Sequence, residues 1–360
     1  MSSAMVKLGD VINVHYGKAL KADQRVSNGS VHVFGSSGIV GNHDKTLCSY
    51  PTIIIGRKGS VGAITWAPDG GWIIDTAYYV EIKDNNKLDL RYLFYILSGI
   101  DLTKKTITTS IPGLNRDDLY DTFIKLPPFE EQKRIVDLLD KAEGIRQKRE
   151  QAIKLADDFL RATFATMYGN PITNPKKWPV HLMGEIIEFK GGNQPPKSDF
   201  IFEPKQGYIR LVQIRDFKSD KYATYIPQEK AKRIFEVDDV MIARYGPPVF
   251  QILRGLSGSY NVALMKASPK ENIRKGFIFY LLQLPEYHDV VVKNSERTAG
   301  QTGVNLELLN KFNVPLPPIY YQDEILARLA RIEKFKEKIE ISLNHLEMQF
   351  LSLQKRLMGF

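Results

Sequence analysis

A long internal repeat limits the folds open to this chain more than any other feature of its sequence. The stretch "LPPFEEQKRI" at 126–135 recurs in outline as "LPPIYYQDEI" at 316–325, with Leu, Pro, Pro, Gln and Ile in matching places. Upstream, "GLN" at 113–115 recurs at the same offset of 190 positions as "GVN" at 303–305. This spacing is far longer than the roughly 20 to 50 residues of a solenoid repeat. It indicates one duplicated scaffold.

A heptad pattern follows each Pro-Pro pair and predicts a long helix. Apolar residues step by three and four from Ile135 to Phe159 and again from Ile325 to Leu357, as in the a and d positions of a coiled coil. The prolines suit a helix start, where a missing N–H leaves nothing unpaired. Each helix of about 40 residues is about 60 Å long. We expect the two to pair as a coiled coil; two separate core helices are the alternative. The predicted seam consists of Ile135, Leu138, Ile145, Phe159, Leu329, Ile332, Ile339, Leu346 and Leu353.

The segments before the two helices have the pattern of mixed α and β blocks. "PTIIIGRKGSVGAITW" at 51–66 predicts a buried strand, a glycine-rich turn and a second strand, and "DDVMIARYGPPVFQIL" at 238–253 looks like its counterpart. The predicted fold is therefore mixed α/β with a pseudo-twofold duplication. Its segments are a block at 1–126, a central helix at 127–169, a second block at 170–316 and a C-terminal helix at 317–360.

This order of elements resembles the specificity subunit of type I restriction–modification systems over essentially the whole chain. The most specific motifs are the paired "LPP…Q…I" helix starts and the "GLN" and "GVN" turns before them. "IIIGRKGSVG" and "VMIARYGPPV" look like parts of that family's target recognition domains, although Pro247 and Pro248 depart from its usual pattern in the second turn.

The resemblance implies a fold, a function and partners. Each block would be a target recognition domain that reads one half of a split double-stranded DNA sequence, and an antiparallel coiled coil would hold the two apart. Two methyltransferase subunits would dock on the chain, with a nuclease/translocase subunit as an optional further partner. S-adenosylmethionine, and ATP and Mg where a nuclease is present, would be bound by those partners and not by this chain.

Composition agrees with a polyanionic partner. The chain carries 50 Lys and Arg against 41 Asp and Glu, a net charge of +9, and an excess of positive charge favours nucleic acid. No run of about 18 apolar residues predicts a membrane span, and the first residues lack the pattern of a secretory signal. Cys48, a single cysteine, cannot form an internal disulfide, which fits a reducing cytoplasm. We expect a cytoplasmic protein.

The motifs of nucleic-acid enzymes are missing or incomplete. An amino-methyltransferase needs a polar residue before Pro-Pro-aromatic, but "LPPF" and "GPPV" offer Leu126 and Gly246. The "EQK" at 131–133 matches part of a metal-dependent nuclease motif, yet acids at a helix start have a plain dipole explanation. Neither a phosphate loop nor metal-ligand spacing among histidines and Cys48 occurs. We therefore expect no catalytic residue, metal or cofactor on this chain.

Candidate DNA contacts lie in polar, glycine-containing segments where cations can approach phosphates or base edges. Solvated hairpin tips and structural connectors are the alternative reading of the same segments. The candidates are Arg57, Lys58, Ser60, Lys104, Lys105, Thr109, Arg244, Tyr245, Arg297, Gln301 and Thr302, with Lys18, Lys21, Gln213 and Arg215 as weaker ones. Two functions of other classes stay open at this point: a self-contained DNA-modifying enzyme, and a coiled-coil adaptor without sequence-specific DNA binding.

Overall fold

The computed structural model describes residues 4–105, 113–246, 248–295 and 303–358 of the chain. These residues form two compact units. Unit 1 comprises Met1–Gln151 with Glu340–Phe360, and unit 2 comprises Ala152–Ile339. Each of the two long helices therefore contributes one part to each unit.

In chain order the elements of unit 1 are β1 (Ala4–Lys7), α1 (Leu8–Val11), β2 (Ile12–Tyr16), β3 (Val31–Gly35), β4 (Gly38–His43), β5 (Thr52–Gly56), β6 (Ile64–Ala67), β7 (Trp72–Ile73), β8 (Ala77–Ile82), α2 (Leu90–Gly99), α3 (Arg116–Tyr120), β9 (Phe123–Leu126) and the first part of α4 (Phe129–Tyr168). They form a four-stranded antiparallel sheet in the order β2-β8-β5-β6, a three-stranded sheet in the order β4-β3-β7, and the antiparallel pair β1-β9.

The unbroken apolar run of β5 reflects burial on both faces of its sheet. Successive side chains of a strand point to opposite faces. Ile53 and Ile55 pack into the core that contains α2, whereas Ile54 packs with Phe34 and Ile73 of the three-stranded sheet. A strand with two buried faces shows no alternation of apolar and polar residues, and the sequence "TIIIG" has none.

Unit 2 repeats this plan. Following the second part of α4, its elements are β10 (Val180–Leu182), α5 (Met183–Ile186), β11 (Ile187–Gly191), β12 (Tyr208–Val212), β13 (Tyr225–Pro227), β14 (Ile234–Phe235), β15 (Val240–Ala243), β16 (Ile252–Leu253), β17 (Gly258–Tyr260), β18 (Leu264–Pro269), α6 (Lys275–Leu281), α7 (Pro285–Ser295), α8 (Leu306–Asn310), β19 (Asn313–Pro315) and the first part of α9 (Ile319–Met358). The sheet order β11-β18-β15-β16 matches that of unit 1 strand for strand. The second sheet, β13-β12-β17-β14, again has one parallel pair, β12 with β17.

The repeated "GLN" and "GVN" motifs are helix starts. The side chain of Asn115 accepts a hydrogen bond from the backbone of Asp117, and that of Asn305 accepts one from Leu308, each at 3.1 Å. Asn is a preferred N-cap because its oxygen pairs with an N–H that the helix leaves free. Each cap begins a five-residue helix, α3 or α8, whose Leu119 or Leu309 is fully buried.

The two long helices run in opposite directions within each unit. In unit 2, the Tyr321 hydroxyl bonds to the carbonyl of Met167, and Lys336 pairs with Asp157 at 2.7 Å, so α9 advances as α4 is followed backwards. In unit 1, Ile135 and Leu139 of α4 share a core with Phe350 and Leu353 of α9, and the later residue Arg146 of α4 is close enough to the earlier residue Glu347 of α9 to feel its charge. The predicted mixed α/β fold with an antiparallel pair of long helices is thereby confirmed.

The predicted seam of α4 is wrong at three positions. Leu138, Ile145 and Phe159 are 42%, 48% and 59% exposed. The buried side of the helix instead contains Leu139 and Leu160, each one residue further along. One residue turns a helix by about 100°. A buried stripe that starts at Ile135 and steps first by four and then by three residues therefore leaves Leu138, Ile145 and Phe159 on the outer face. Ile135, Leu329 and Ile339 are buried, whereas Ile332, Leu346 and Leu353 are half-buried.

Candidate nucleic-acid interface

The glycine-rich turn after β5 is fixed to two other segments of unit 1. The backbone N–H groups of Arg57 and Lys58 both donate to the carbonyl of Thr76, at 2.9 and 3.1 Å. The Arg57 carbonyl accepts from the N–H of Leu114 at 3.0 Å. Gly59 within the turn has a φ of 78°, which L side chains rarely adopt. The Arg57 side chain therefore extends from a well-anchored backbone, beside the repeated "GLN" motif.

Two arginine side chains lie against the ring of Tyr16 at the end of β2. The guanidinium carbons of Arg57 and Arg116 are 5.1 and 5.4 Å from the ring centre, within the range of cation–π attraction. Arg57 also lies 5.8 Å from the ring centre of Tyr78. Tyr16 itself is 47% exposed, so the two cations flank a ring that faces solvent. We call these four residues the Tyr16 cluster.

The Tyr78 hydroxyl stays protonated in this cluster and donates a hydrogen bond to the backbone. Its burial, followed by its hydrogen bond with Tyr16, raises the pKa of Tyr78 to about 12, although the nearby Arg57 acts in the opposite direction. The Tyr78 hydroxyl donates to the carbonyl of Leu114 at 3.0 Å. It therefore ties the strand under the cluster to the same segment that bonds the turn.

The charges of the Tyr16 cluster are not neutralised by carboxylates of the described residues. Arg57 and Arg116 form no ion pair there, whereas Arg91, Arg146 and Arg274 each bond to an Asp or Glu. The Nε of Arg116 is also buried without a hydrogen-bond partner among the described groups. A guanidinium without an ion pair can form a bidentate pair of hydrogen bonds with a phosphate or with the edge of a guanine.

Unit 2 places Arg244 where unit 1 has Arg57. Each arginine directly follows the matching strand, β15 or β5, and the Arg244 carbonyl accepts from the N–H of Val304 at 3.1 Å, as that of Arg57 does from Leu114. The Arg244 guanidinium lies 5.0 Å from the ring centre of Tyr245. Arg244 likewise forms no ion pair within the described parts of the chain. The two units therefore each present an arginine without an ion pair from an equivalent backbone position, although Nη1 of Arg57 also donates to the carbonyl of Asp75 at 3.2 Å.

The surroundings of the two arginines differ at the last residue of the edge strand of each four-stranded sheet, β2 or β11. Unit 1 has Tyr16 at the end of β2, and unit 2 has Gly191 at the end of β11. A Cβ on Gly191 would lie 3.0 Å from Nη1 of Arg244. Arg244 thus lies across a bare backbone where Arg57 lies against a ring. One scaffold accordingly carries two chemically different surfaces.

The other predicted contact residues are more scattered. Lys58, Ser60 and Tyr245 are exposed in the two turns, and Lys18 and Lys21 are exposed just after β2. After β12, Gln213 bonds to Asp216 and Thr224, and Arg215 lies against Tyr222, so neither is paired with the Arg244 turn.

Some predicted residues fall where little or nothing is described. The backbone of Lys104 and Lys105 ends a 3-10 turn at Leu102–Lys105. Thr109, Arg297, Gln301 and Thr302 lie outside the described residues, as does Pro247.

Sequence reasoning missed Tyr16 and Arg116 as members of the site. Tyr16 closes a strand whose text, "INVHYGK", parallels "IEFKGGN" at 187–193, and Arg116 directly follows the "GLN" motif. Both residues therefore lie in or next to a segment that recurs in the second half of the sequence, and this recurrence was the available signal. The two residues meet because α3 lies against β2, where the Tyr120 hydroxyl accepts a hydrogen bond from the N–H of Val14 at 2.9 Å, and no local pattern reveals that contact.

Neither a metal centre nor a membrane span is found among the described residues. No group of three or more His, Cys, Asp or Glu side chains is arranged to hold a metal ion in that part of the chain. None of the helices described is both long and apolar enough to cross a bilayer.

Comparison with known proteins places the duplicated scaffold in one class, that of DNA specificity proteins. The family model of the type I restriction modification DNA specificity domain matches twice, at residues 2–155 and 175–347. Because these matches cover most of the chain, it belongs to that family, and the predicted resemblance is confirmed.

Curated relatives carry the same description. The chain is 22% identical over 336 residues to the type I restriction enzyme EcoBI specificity subunit of Escherichia coli, covering 82% of this chain and 70% of that protein. It is 21% identical over 305 residues to the MjaVIII specificity subunit of Methanocaldococcus jannaschii, covering 73% and 69%.

Solved structures share the fold. The S subunit of a type I restriction–modification system from M. genitalium superposes with a TM-score of 0.60 at 16% identity, covering 99% of this chain and 96% of that one. A chain from a structure of the type I R-M system gives a TM-score of 0.57 at 18% identity, covering 99% and 98%. At such identities the likeness concerns the fold alone.

Proposed function

We propose that this chain is a non-catalytic DNA-recognition subunit of a type I restriction–modification complex. Unit 1 and unit 2 would each read one half of a bipartite double-stranded target through their recognition domains. Two methyltransferase subunits would dock on the chain and supply catalysis and S-adenosylmethionine, with a nuclease/translocase subunit as an optional further partner. Membership of the family supports this assignment.

The matched placement of Arg57 and Arg244 is the observation that carries the proposal. Both follow equivalent strands, both have their carbonyl bonded by the segment that leads to α3 or α8, and neither is ion-paired in the described part of the chain. Equivalent cations on a duplicated scaffold suit two half-sites on one duplex, because a pseudo-twofold protein meets a pseudo-twofold arrangement of grooves. The different neighbours, Tyr16 and Gly191, favour half-sites of different sequence.

The proposal is tested with the chain assembled with the methyltransferase subunits of its own system. Mapping of methylated adenines first gives the target. Binding is then measured on duplexes in which one half-site at a time is scrambled. We expect Arg57→Ala to abolish the preference for one half-site and Arg244→Ala the preference for the other. A lost two-pronged contact to guanine weakens binding by about 1–3 kcal/mol, or about 5- to 150-fold.

Arg134→Ala and Arg161→Ala are the matched controls, since both remove an exposed helix arginine that pairs with a carboxylate one turn away. They should bind like the wild type. A uniform loss on all sequences, with a salt dependence reduced by about one counterion, would assign the two arginines to phosphates and not to base reading. Wild-type affinity in both test variants would remove the turns from the DNA interface.

The same preparation separates the proposal from its alternatives. Methylation of DNA by the purified chain alone with S-adenosylmethionine would show a self-contained enzyme. Binding that falls steeply with salt and shows no preference for any sequence would show an adaptor with phosphate contacts only.

A further inference from the structure

The repeated glutamine of the two long helices makes the same three hydrogen bonds in each unit. In unit 1, Nε2 of the buried Gln132 donates to the carbonyls of Lys87 and Pro127 at 2.7 and 2.9 Å, and its Oε1 accepts from the N–H of Asp89 at 2.9 Å. This amide joins the first turn of α4 to the segment that begins α2.

Gln322 forms the matching set in unit 2. Its Nε2 donates to the carbonyls of Asn272 and Pro317, both at 2.8 Å, and its Oε1 accepts from the N–H of Arg274 at 2.9 Å. Gln322 is fully buried, as is Gln132. Each amide thus satisfies two carbonyls and one N–H, and the bonds to Pro127 and Pro317 are buried. A buried group left without a partner costs about 1–3 kcal/mol.

A tyrosine further along each short helix makes a second attachment. The Tyr95 hydroxyl donates to Asp140 of α4, and its ring centre lies 6.2 Å from that of Phe350 in α9. The Tyr280 hydroxyl donates to Glu333 of α9, and its ring stacks on Phe164 of α4 at 5.5 Å. Each tyrosine therefore touches both long helices, and α4 and α9 exchange their roles between the units.

An arginine reinforces each carboxylate. Arg91 bonds to Asp140 at 2.8 Å and lies 4.8 Å from the ring centre of Phe94, and Arg254 pairs with Glu333 and lies 3.9 Å from that of Phe279. Arg91 and Arg254 come from different elements of the recognition blocks. The carboxylate on the long helix and the tyrosine are therefore the common parts of this second attachment.

Two attachments at separate points fix the angle between the short helix and the long helix, whereas a single attachment would let the short helix rotate about that point. Gln132 and Asp140 are eight residues apart on α4, or about 12 Å along its axis, and Gln322 and Glu333 are eleven apart on α9, or about 16 Å. A short helix bonded at its N-cap, Asp89 or Arg274, and again through a tyrosine at least one turn further along cannot swing on the long helix beside it. The recognition block that contains the short helix is held with it.

We propose that Gln132 with Tyr95, and Gln322 with Tyr280, are positioning residues that fix the angle of each recognition block on the long helices of its own unit, and that these angles define the DNA spacer the protein accepts. This inference rests on the proposed function, because a spacer exists only for a bipartite target. It assigns no base contact to any of the four residues. Loosening an attachment should widen the range of accepted spacers and leave both half-site sequences unchanged.

The test uses the assembled methyltransferase complex and a library of duplexes that keep both half-sites and vary the spacer by single base pairs. The variants are Tyr95→Phe and Tyr280→Phe, which remove one hydroxyl and leave the carboxylate paired with its arginine, and Gln132→Met, which removes three hydrogen bonds at similar size. The measured quantity is the ratio of methylation at spacers one base pair from the optimum to methylation at the optimal spacer. This ratio should rise about fivefold in Tyr95→Phe, because one typical hydrogen bond is lost.

Tyr92→Phe is the matched control. Tyr92 lies one turn before Tyr95 on α2, but its hydroxyl donates to the carbonyl of Lys125 in β9 at 2.9 Å, within the recognition block. It should lose a similar amount of stability and keep the wild-type spacer profile. A profile unchanged in both Tyr95→Phe and Tyr280→Phe, or an altered half-site preference, would overturn the inference. A wild-type complex indifferent to spacer length would overturn the proposed function as well.

Discussion

Leu138 and Leu139 are neighbours in α4 and have opposite surroundings. Leu139 is fully buried in the core of unit 1 that contains α2, whereas Leu138 is 42% exposed. Both are leucines in the middle of one helix, so burial is the main difference between them.

Alanine substitutions at these two positions therefore separate packing from helix propensity. Leu139→Ala should lower the free energy of unfolding by about 2–5 kcal/mol, because it removes buried methyl groups and leaves a cavity. Leu138→Ala should change it by less than about 1 kcal/mol, since an exposed leucine loses little and alanine is the best helix former. Urea unfolding of the two purified variants, followed by helical circular dichroism, gives both values. Equal losses would restore the seam expected from sequence.

Helix α4 shows which features of the fold can be predicted from the sequence and which cannot. The start of α4 after Pro128, its length and its duplicate in α9 follow from repetition and heptad spacing, which are local signals. The buried face of α4 does not follow from these signals, because "VDLLDK" contains one leucine on each of the two possible faces, Leu138 and Leu139. The packing of α2 against α4, through Gln132 and Asp140, selects Leu139.

The candidate site divides in the same way. Arg57 and Arg244 were predicted because each lies in a repeated glycine-rich turn. Tyr16 and Arg116 were not, because they lie 100 positions apart and are brought together by contacts between distant segments, such as the hydrogen bond from the Val14 N–H of β2 to the Tyr120 hydroxyl of α3. A contact between residues that lie far apart in the sequence leaves no local sequence pattern, so it cannot be predicted from one.

Glycines at equivalent ends of β2 and β11 should tolerate no side chain. A Cβ on Gly17 would lie 2.1 Å from the Ile74 carbonyl oxygen, and one on Gly192 2.0 Å from that of Asn261. Gly192→Ala must displace backbone, and we expect a loss of at least about 2 kcal/mol in unfolding free energy. Gly144→Ala is the control: nothing lies within 4 Å of its Cβ, and alanine in a helix should add about 0.5–1 kcal/mol. Thermal melting compares them, and a stable Gly192→Ala would contradict the close approach.

Acid should weaken α4 through Glu143. The side-chain hydrogen bond from Arg146, at 2.7 Å, holds the pKa of the Glu143 carboxyl below its ordinary 4.5. A lowered folded-state pKa adds stability that is present above the ordinary value and is lost as the pH falls through the lowered one. The melting temperature of Arg146→Met should therefore lie below that of the wild type at about pH 7, with the gap closing below about pH 4.

Arg161→Met is the control for this pH series, because the pair of Arg161 with Asp158 is exposed on both sides. Exposed pairs contribute little, so its melting curve should follow that of the wild type at every pH. A gap for Arg146→Met that stays constant down to about pH 3 would show that lost packing, and not the charge of Glu143, is responsible.

The ring of Tyr16 should matter to DNA binding more than its hydroxyl, if unit 1 reads a half-site as proposed. Arg57 and Arg116 both lie within 5.4 Å of its centre, and each such contact near the surface contributes about 0.5–1 kcal/mol. Tyr16→Leu frees both guanidiniums, so binding to a duplex with both half-sites should weaken by about 5- to 30-fold. Tyr16→Phe keeps the ring and should bind within about twofold of the wild type. The equivalent position in unit 2 is Gly191, so neither change should alter the preference at the half-site lost in Arg244→Ala. Fluorescence anisotropy on the two singly scrambled duplexes measures both effects, and equal binding by Tyr16→Leu and wild type would exclude the ring as a support for the arginines.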